Sequence, residues 1–165
     1  MQFDLKRLST LDRVIAGGAA VVFIALFLPW WGVGVFGYTV DGWAAGFTAW
    51  AGGLLLTAAG VILVLRRSGA GFGLPNVGPA LLVAGVAALG LLLVIIRWVS
   101  LPRYHGIDAG ARYGLYIGLV AGIVVTVAAI LDMRASGEAM PWAQAQQKAE
   151  EPARPDAGTP AAPEE

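Results

Sequence analysis

The feature that most constrains this chain is a set of four long stretches without Asp, Glu, Lys or Arg: residues 14–40, 42–65, 68–96 and 113–131. An α-helix needs about 20 apolar residues to cross a hydrocarbon core about 30 Å thick, and each stretch contains a run near that length. Charged residues make up only 13% of the chain, against about 25% in a soluble domain. The sequence therefore predicts an all-α polytopic membrane protein, a four-transmembrane-helix bundle.

Local signals place the ends of the predicted helices. Ser9 and Asp12 have the spacing of a capping box for the first helix, and Asp41 is placed to cap the second. We expect one transmembrane domain over residues 1–134, with helices at about 12–29, 43–65, 77–97 and 113–131. Residues 135–165 are rich in Ala, Pro and Glu, which predicts a disordered cytoplasmic tail.

Basic residues near the helix ends predict the orientation in the membrane. Six basic residues would lie on one side of the membrane and three on the other. The first group is Lys6, Arg7, Arg13, Arg66, Arg67 and Arg134, and the second is Arg97, Arg103 and Arg112. The positive-inside rule places the side richer in basic residues in the cytoplasm. We expect a multi-pass protein of the cytoplasmic membrane with both termini inside, and an outer-interface aromatic belt made of Trp30, Trp31, Trp43 and Trp98.

Small residues recur at intervals of four along two predicted helices. The fourth helix has Gly114, Gly118 and Gly122, and the second has Ala45, Ala49 and Gly53. Such series let helix backbones approach closely in lipid, where the hydrophobic effect adds little to helix association. They predict helix packing inside one bundle or, alternatively, an interface with a second copy or another membrane protein.

Residues that carry catalytic or metal chemistry are scarce. The chain has no cysteine and one histidine, His105, which cannot form a zinc site alone. The Gly-rich segment 69–73 lacks the G-K-[ST] ending of a P-loop, and no basic stripe suits nucleic acid. We expect no enzyme activity, catalytic residue, cofactor or metal.

Three short motifs suggest a family. Phe27-Leu28-Pro29-Trp30-Trp31 closes the first helix, Asp41-Gly42-Trp43 precedes the second, and Arg112-Tyr113-Gly114 opens the fourth. With them, the chain resembles small four-helix membrane proteins of actinobacteria, which generally lack an assigned function. The resemblance covers roughly residues 10–134, implies the same fold and transfers no active site.

These observations favour a non-enzymatic role as a structural, scaffolding or accessory subunit of a membrane assembly. The expected partners are the lipid bilayer and either a second copy or another membrane protein. The alternative is a small oligomeric transporter or channel, although compact exporters depend on a membrane-embedded carboxylate and we expect none here, since Asp12 and Asp41 fall at helix ends. A lipid-active enzyme using Arg103, His105 and Asp108 is a further alternative.

Overall fold

The structure, a computed structural model, describes residues 9–34, 37–67, 78–101 and 109–137. This part of the chain is mostly helical, with the predicted four helices and three short strands that were not predicted, so the all-α class needs correction. The elements in chain order are α1 (Thr10–Ala25), β1 (Pro29–Val33), β2 (Tyr38–Asp41), α2 (Phe47–Arg67), α3 (Pro79–Val99), β3 (Ala109–Ala111) and α4 (Tyr113–Ala135). The predicted tail lies outside the described residues from 138 onward.

The start of α1 is the predicted capping box. Ser9 Oγ accepts the Asp12 N–H at 3.1 Å, and Asp12 Oδ2 accepts the Ser9 N–H at 2.9 Å. The helix ends earlier than predicted, at Ala25, because the next residues tighten into a turn with the Leu28 N–H donating to Ala25 O. Pro29 then begins a strand, which fits its inability to continue a helix.

The α1–α2 and α3–α4 connections fold together into one antiparallel sheet of order β2-β1-β3. In the central strand, Gly32 pairs with Thr39 of β2 and with Gly110 of β3. The β1 and β2 sequences, PWWGV and YTVD, contain the aromatic and β-branched residues that favour strands. The sheet therefore covers one end of the bundle, which we call the sheet end.

The start of α2 differs from the prediction. Asp41 Oδ1 accepts the Ala44 N–H at 2.9 Å, so it caps a turn over residues 42–45 and not the helix itself. Gly46, at φ +115°, separates this turn from the helix. Residues with a side chain rarely adopt that backbone conformation, which explains why a glycine stands here. At its other end α2 continues through Arg67, and α4 likewise runs past its predicted end to Ala135.

The helices are ordered α1-α2-α3-α4 around the bundle, and α2 and α4 also touch across it. One continuous core fills the interior, with Ile15, Val22, Leu56, Leu115 and Val125 fully buried. Many large apolar side chains face outward, including Phe47, Val99 and Val120. A soluble monomer rarely exposes so much apolar surface, whereas lipid accommodates it.

Three helical segments are long and apolar enough to cross a membrane: Phe47–Arg67, Ala80–Val99 and Tyr113–Ala135. The protein is therefore a multi-pass membrane protein in contact with the lipid bilayer. The remaining helix, α1, has 16 residues, or about 24 Å at 1.5 Å per residue.

Candidate functional site

A close helix crossing, backbone against backbone, joins α2 and α3 at a pair of glycines. A Cβ atom built on Gly52 would lie 2.8 Å from Gly90 O, and one built on Gly90 would lie 2.9 Å from Gly52 O. Both distances are shorter than real Cβ contacts, so only glycine permits this approach. Neither residue belongs to the predicted small-residue series; the one sequence signal for them is a glycine in the middle of an apolar span.

The predicted glycine series of α4 faces other parts of the same chain. A Cβ on Gly114 would meet Pro29 O at 2.6 Å, and one on Gly118 would meet Trp30 Cζ2 at 3.2 Å. At Gly122 the nearest atom is Leu56 Cδ1, at 2.9 Å. The series therefore accommodates the α1–β1 junction at one end and a leucine of α2 deeper in the bundle.

The predicted series of α2 is divided between a turn and the helix. Ala45 is buried in the turn before α2, not on the helix as expected, while Ala49 is buried in the first helical turn. A Cβ on Gly53 would lie 2.6 Å from Leu26 Cδ2, so this glycine makes room for the residue after α1.

Trp30 differs most from its predicted place in an outer aromatic belt, because it is fully buried. Its Nε1–H donates to Ala25 O at 2.7 Å, which satisfies the one polar group of the indole. Since side chains alternate along a strand, Trp30 and Gly32 face the bundle while Trp31 is only partly buried. Trp30 thus anchors the sheet to the helices.

Two other predicted belt residues, Trp43 and Trp98, are partly exposed on the protein surface. Trp43 packs edge-on against Phe27 with ring centroids 5.7 Å apart, and Phe27 packs in the same manner against Phe23 at 5.5 Å. This ladder runs from α1 to the turn before α2. Its position at the water–lipid boundary stays a prediction.

At the end opposite the sheet, three helices meet in a charged network that the sequence did not predict. Arg67, the last residue of α2, donates through Nε and Nη2 to Asp12 Oδ1 of α1, at 3.1 and 2.9 Å. Its Nη2 also lies 3.2 Å from Asp132 Oδ1 of α4. The predicted fourth helix ends at residue 131 and so leaves Asp132 outside it. For Asp12 the sequence predicts a role only in the capping box of the first helix.

The carboxylates in this network are more deeply buried than the arginine. Asp12 is 1% exposed, whereas the Arg67 side chain is 37% exposed. A buried carboxylate is costly unless it is paired and hydrogen-bonded, and Asp12 accepts from Arg67 and from the Ser9 N–H. Asp12 in the first turn of α1 and Arg67 in the last turn of α2 also suit the helix dipoles.

Two arginines at the sheet end have a different environment. The Nε atoms of Arg97 and Arg112 are buried, and neither has a hydrogen-bond partner in the described part of the chain. Arg112 Nε lies against Gly32 of the sheet, 3.0 Å from where a Cβ would be, and Arg97 Nη1 lies 3.8 Å from the equivalent point on Gly46. The sequence identified both only as charges at helix ends.

No family model, curated protein or solved structure matches this chain. Its function is therefore inferred from its own contacts.

Among the residues that the structure describes, acidic and basic side chains lie only toward the two ends of the bundle. In the middle of the bundle, the Thr126 hydroxyl of α4 lies 3.3 Å from Ala87 O of α3, which makes a polar contact between these helices. The same hydroxyl donates to Gly122 O within α4 at 2.8 Å.

Proposed function

We propose that this protein is a non-enzymatic structural or accessory subunit of a membrane assembly, and that the sheet end is its recognition surface. The supporting observation is that two separate connections form one sheet held on the bundle by buried Trp30. An ordered sheet on a tightly packed bundle presents a fixed shape to a partner, which lowers the entropy lost on binding.

The sheet also offers unpaired backbone. Strands β2 and β3 each pair with β1 alone, so in the described part of the chain one edge of each has no neighbouring strand. Such an edge is a ready template for another strand. On β2, Tyr38 and Thr39 are exposed beside that edge, and we assign β2 as the contact with another membrane protein.

A site-specific crosslinking experiment tests this role. A photoreactive residue at Tyr38 should crosslink one defined membrane protein in native membranes, and adding Thr39→Lys should abolish that product because a charge on an edge strand blocks pairing. The matched control is Ser136→Lys, which adds the same charge at an exposed position at the opposite end. Loss of the product in both variants, or in neither, would contradict recognition through β2.

We also propose that α1 is a fourth span. It runs beside α2 along most of the bundle, from the Asp12–Arg67 ion pair at one end to the Leu26–Gly53 contact at the other. With the tightened turn up to Leu28, the whole segment from Thr10 is about 28 Å long. The basic bias of the sequence then favours an orientation with both chain termini in the cytoplasm and the sheet outside.

Cysteine labelling tests the topology cleanly because the chain has no cysteine. With an impermeant thiol reagent added outside intact cells, Tyr38→Cys should react and Ser136→Cys should react only after the membrane is opened. The reverse pattern would invert the orientation. Equal labelling of both from outside would show that α2, α3 and α4 do not all cross. Thr10→Cys, at the start of α1, should label like Ser136→Cys, and its labelling from outside while Tyr38→Cys also labels would show that α1 does not cross.

One observation favours the alternative of a small oligomeric transporter or channel. Asp132, which the predicted helix at 113–131 leaves out, lies within the candidate span Tyr113–Ala135. However, Asp132 lies near the helix end and faces Arg67. Proton flux into liposomes containing the purified chain decides between the accessory role and transport. The accessory role predicts no flux above that of empty liposomes. A flux that is lost in Asp132→Asn would support transport.

A further inference from the structure

Arg97 is a charged residue within a candidate membrane span. It occupies the last turn of α3, inside the apolar segment Ala80–Val99, at the sheet end of the bundle. An ionisable residue within a span is expensive and generally has a partner that compensates its charge. The Arg97 side chain has no ion pair or hydrogen bond to the described part of the chain, and its Nε is buried.

The surroundings of Arg97 increase its need for an anion. Its guanidinium lies beside Gly46, with Nη1 and Cζ 3.8 and 3.9 Å from the Cβ position of that residue. Gly46 precedes the first turn of α2, whose N–H groups give that end a partial positive charge. Asp41, the described carboxylate nearest to Gly46 in sequence, uses Oδ1 to accept the Ala44 N–H and makes no ion pair with Arg97.

Exposed apolar side chains lie at the same end of the bundle. Phe47 directly follows Gly46 in sequence, and Ile96 and Val99 are in the same last turn of α3 as Arg97. All three side chains are exposed. Their exposed fractions are 66%, 43% and 70% in that order. An unpaired guanidinium at the same end of the bundle as exposed apolar side chains is complementary to an anionic phospholipid, whose phosphate can pair with the cation and whose acyl chains can contact the apolar side chains.

We propose that Arg97 and the adjoining start of α2 bind the phosphate of an anionic phospholipid whose acyl chains lie against Phe47 and α3. The planar guanidinium donates to phosphate oxygens, which gives Arg97 the acceptor that the described protein lacks. The site depends only on the membrane character of the chain. It holds for either orientation and does not require the accessory role, so either proposal can fail alone.

Lipid binding to the purified full-length protein in neutral detergent tests the site. Native mass spectrometry would count bound phosphatidylglycerol and give its Kd for the unchanged chain and for Arg97→Gln. We expect one tightly bound phosphatidylglycerol, with affinity about ten- to a hundredfold lower in Arg97→Gln because charge-assisted bidentate bonds are lost. The matched control, Arg134→Gln, removes an exposed charge from the last turn of α4 at the other end and should keep the unchanged chain's Kd within about twofold.

Separate ligands distinguish the possible sources of the phosphate. Phosphatidylcholine should bind clearly more weakly than phosphatidylglycerol, and inorganic phosphate should not displace bound phosphatidylglycerol. Equal binding of the two lipids would overturn the requirement for an anionic headgroup. Displacement by inorganic phosphate would assign the site to a free anion and overturn the lipid assignment.

A second variant protects the test against misfolding. If Arg97→Gln does not retain the helical circular dichroism of the unchanged chain, Arg97→Lys replaces it, since lysine retains the charge but loses the planar fork of donors. We expect a several-fold weaker Kd for phosphatidylglycerol in Arg97→Lys. The site is refuted if the folded variant used binds phosphatidylglycerol as tightly as the unchanged chain does.

Discussion

The glycine crossing between α2 and α3 makes a quantitative prediction, because the same helix carries a matched control. Gly90 faces α2, and a Cβ there would lie 2.9 Å from both Gly52 O and Leu56 N. Gly85, one and a half turns earlier on α3, has no atom within 4 Å of its Cβ position. Alanine at the two positions is the same chemical change in two environments.

The magnitude follows from comparing the two variants. Alanine is about 1 kcal/mol better than glycine in a helix measured in water, and this term is shared by both positions. Ordinary Cβ contacts begin near 3.4 Å, so Gly90→Ala must move two backbone segments by about 0.5 Å, and overpacking of this kind costs about 1–3 kcal/mol. We therefore expect Gly90→Ala to be about 1–3 kcal/mol less stable than Gly85→Ala.

The free energy of unfolding in mixed micelles, followed by tryptophan fluorescence during a denaturant titration, measures this difference. Gly85→Ala should be as stable as the unchanged chain or more so, and Gly90→Ala should fall below Gly85→Ala. Gly52→Ala provides a reciprocal check from the other helix, since its Cβ would meet Gly90 O. Equal stabilisation by Gly85→Ala and Gly90→Ala would refute the close crossing.

Two further predictions concern the ends of the bundle and use the same unfolding measurement. Trp30→Ala should lower the free energy of unfolding by about 3–5 kcal/mol because it empties a buried site. Trp98 is partly exposed, so Trp98→Ala should lower it by about 1 kcal/mol or less. Equal losses would contradict the anchoring role of Trp30. Asp12→Asn should cost about 1–3 kcal/mol, reduced by the partial exposure of Arg67, because it weakens a charge-assisted hydrogen bond. Asp41→Asn should cost less than about 1 kcal/mol since Asn also caps turns, and similar losses in the two Asp variants would argue against the ion pair.

The helices could be predicted because their signals are local. Apolar runs of sufficient length identify four helices, and the Ser9–Asp12 spacing gives the first helix its capping box. The glycine series of α4 likewise indicates a face without side chains before any contact is known. These features depend on neighbouring residues in sequence, where composition and spacing are informative.

The sheet, the charged network and the glycine crossing depend on contacts between distant parts of the chain. Nothing local to Gly32 indicates that it pairs with both Thr39 and Gly110. Arg67 and Asp12 are 55 positions apart, and Arg67 and Asp132 are 65 apart. Trp30 was misplaced for a related reason, since a tryptophan after a membrane helix suits the boundary equally well until strand alternation turns it inward.

The distribution of polar contacts explains how an apolar bundle can have one arrangement. Van der Waals packing alone discriminates weakly between helix registers in lipid, and the middle of the bundle supplies mainly such contacts, made specific by glycines such as Gly52 and Gly90. Arg67 joins α1, α2 and α4 at one end, and the sheet joins both connections at the other. A slide of α1 by one turn would move Asp12 about 5.4 Å from Arg67 and would draw Trp30 away from Gly118. Register is therefore specified at both ends, while the outer surface stays apolar and available to lipid.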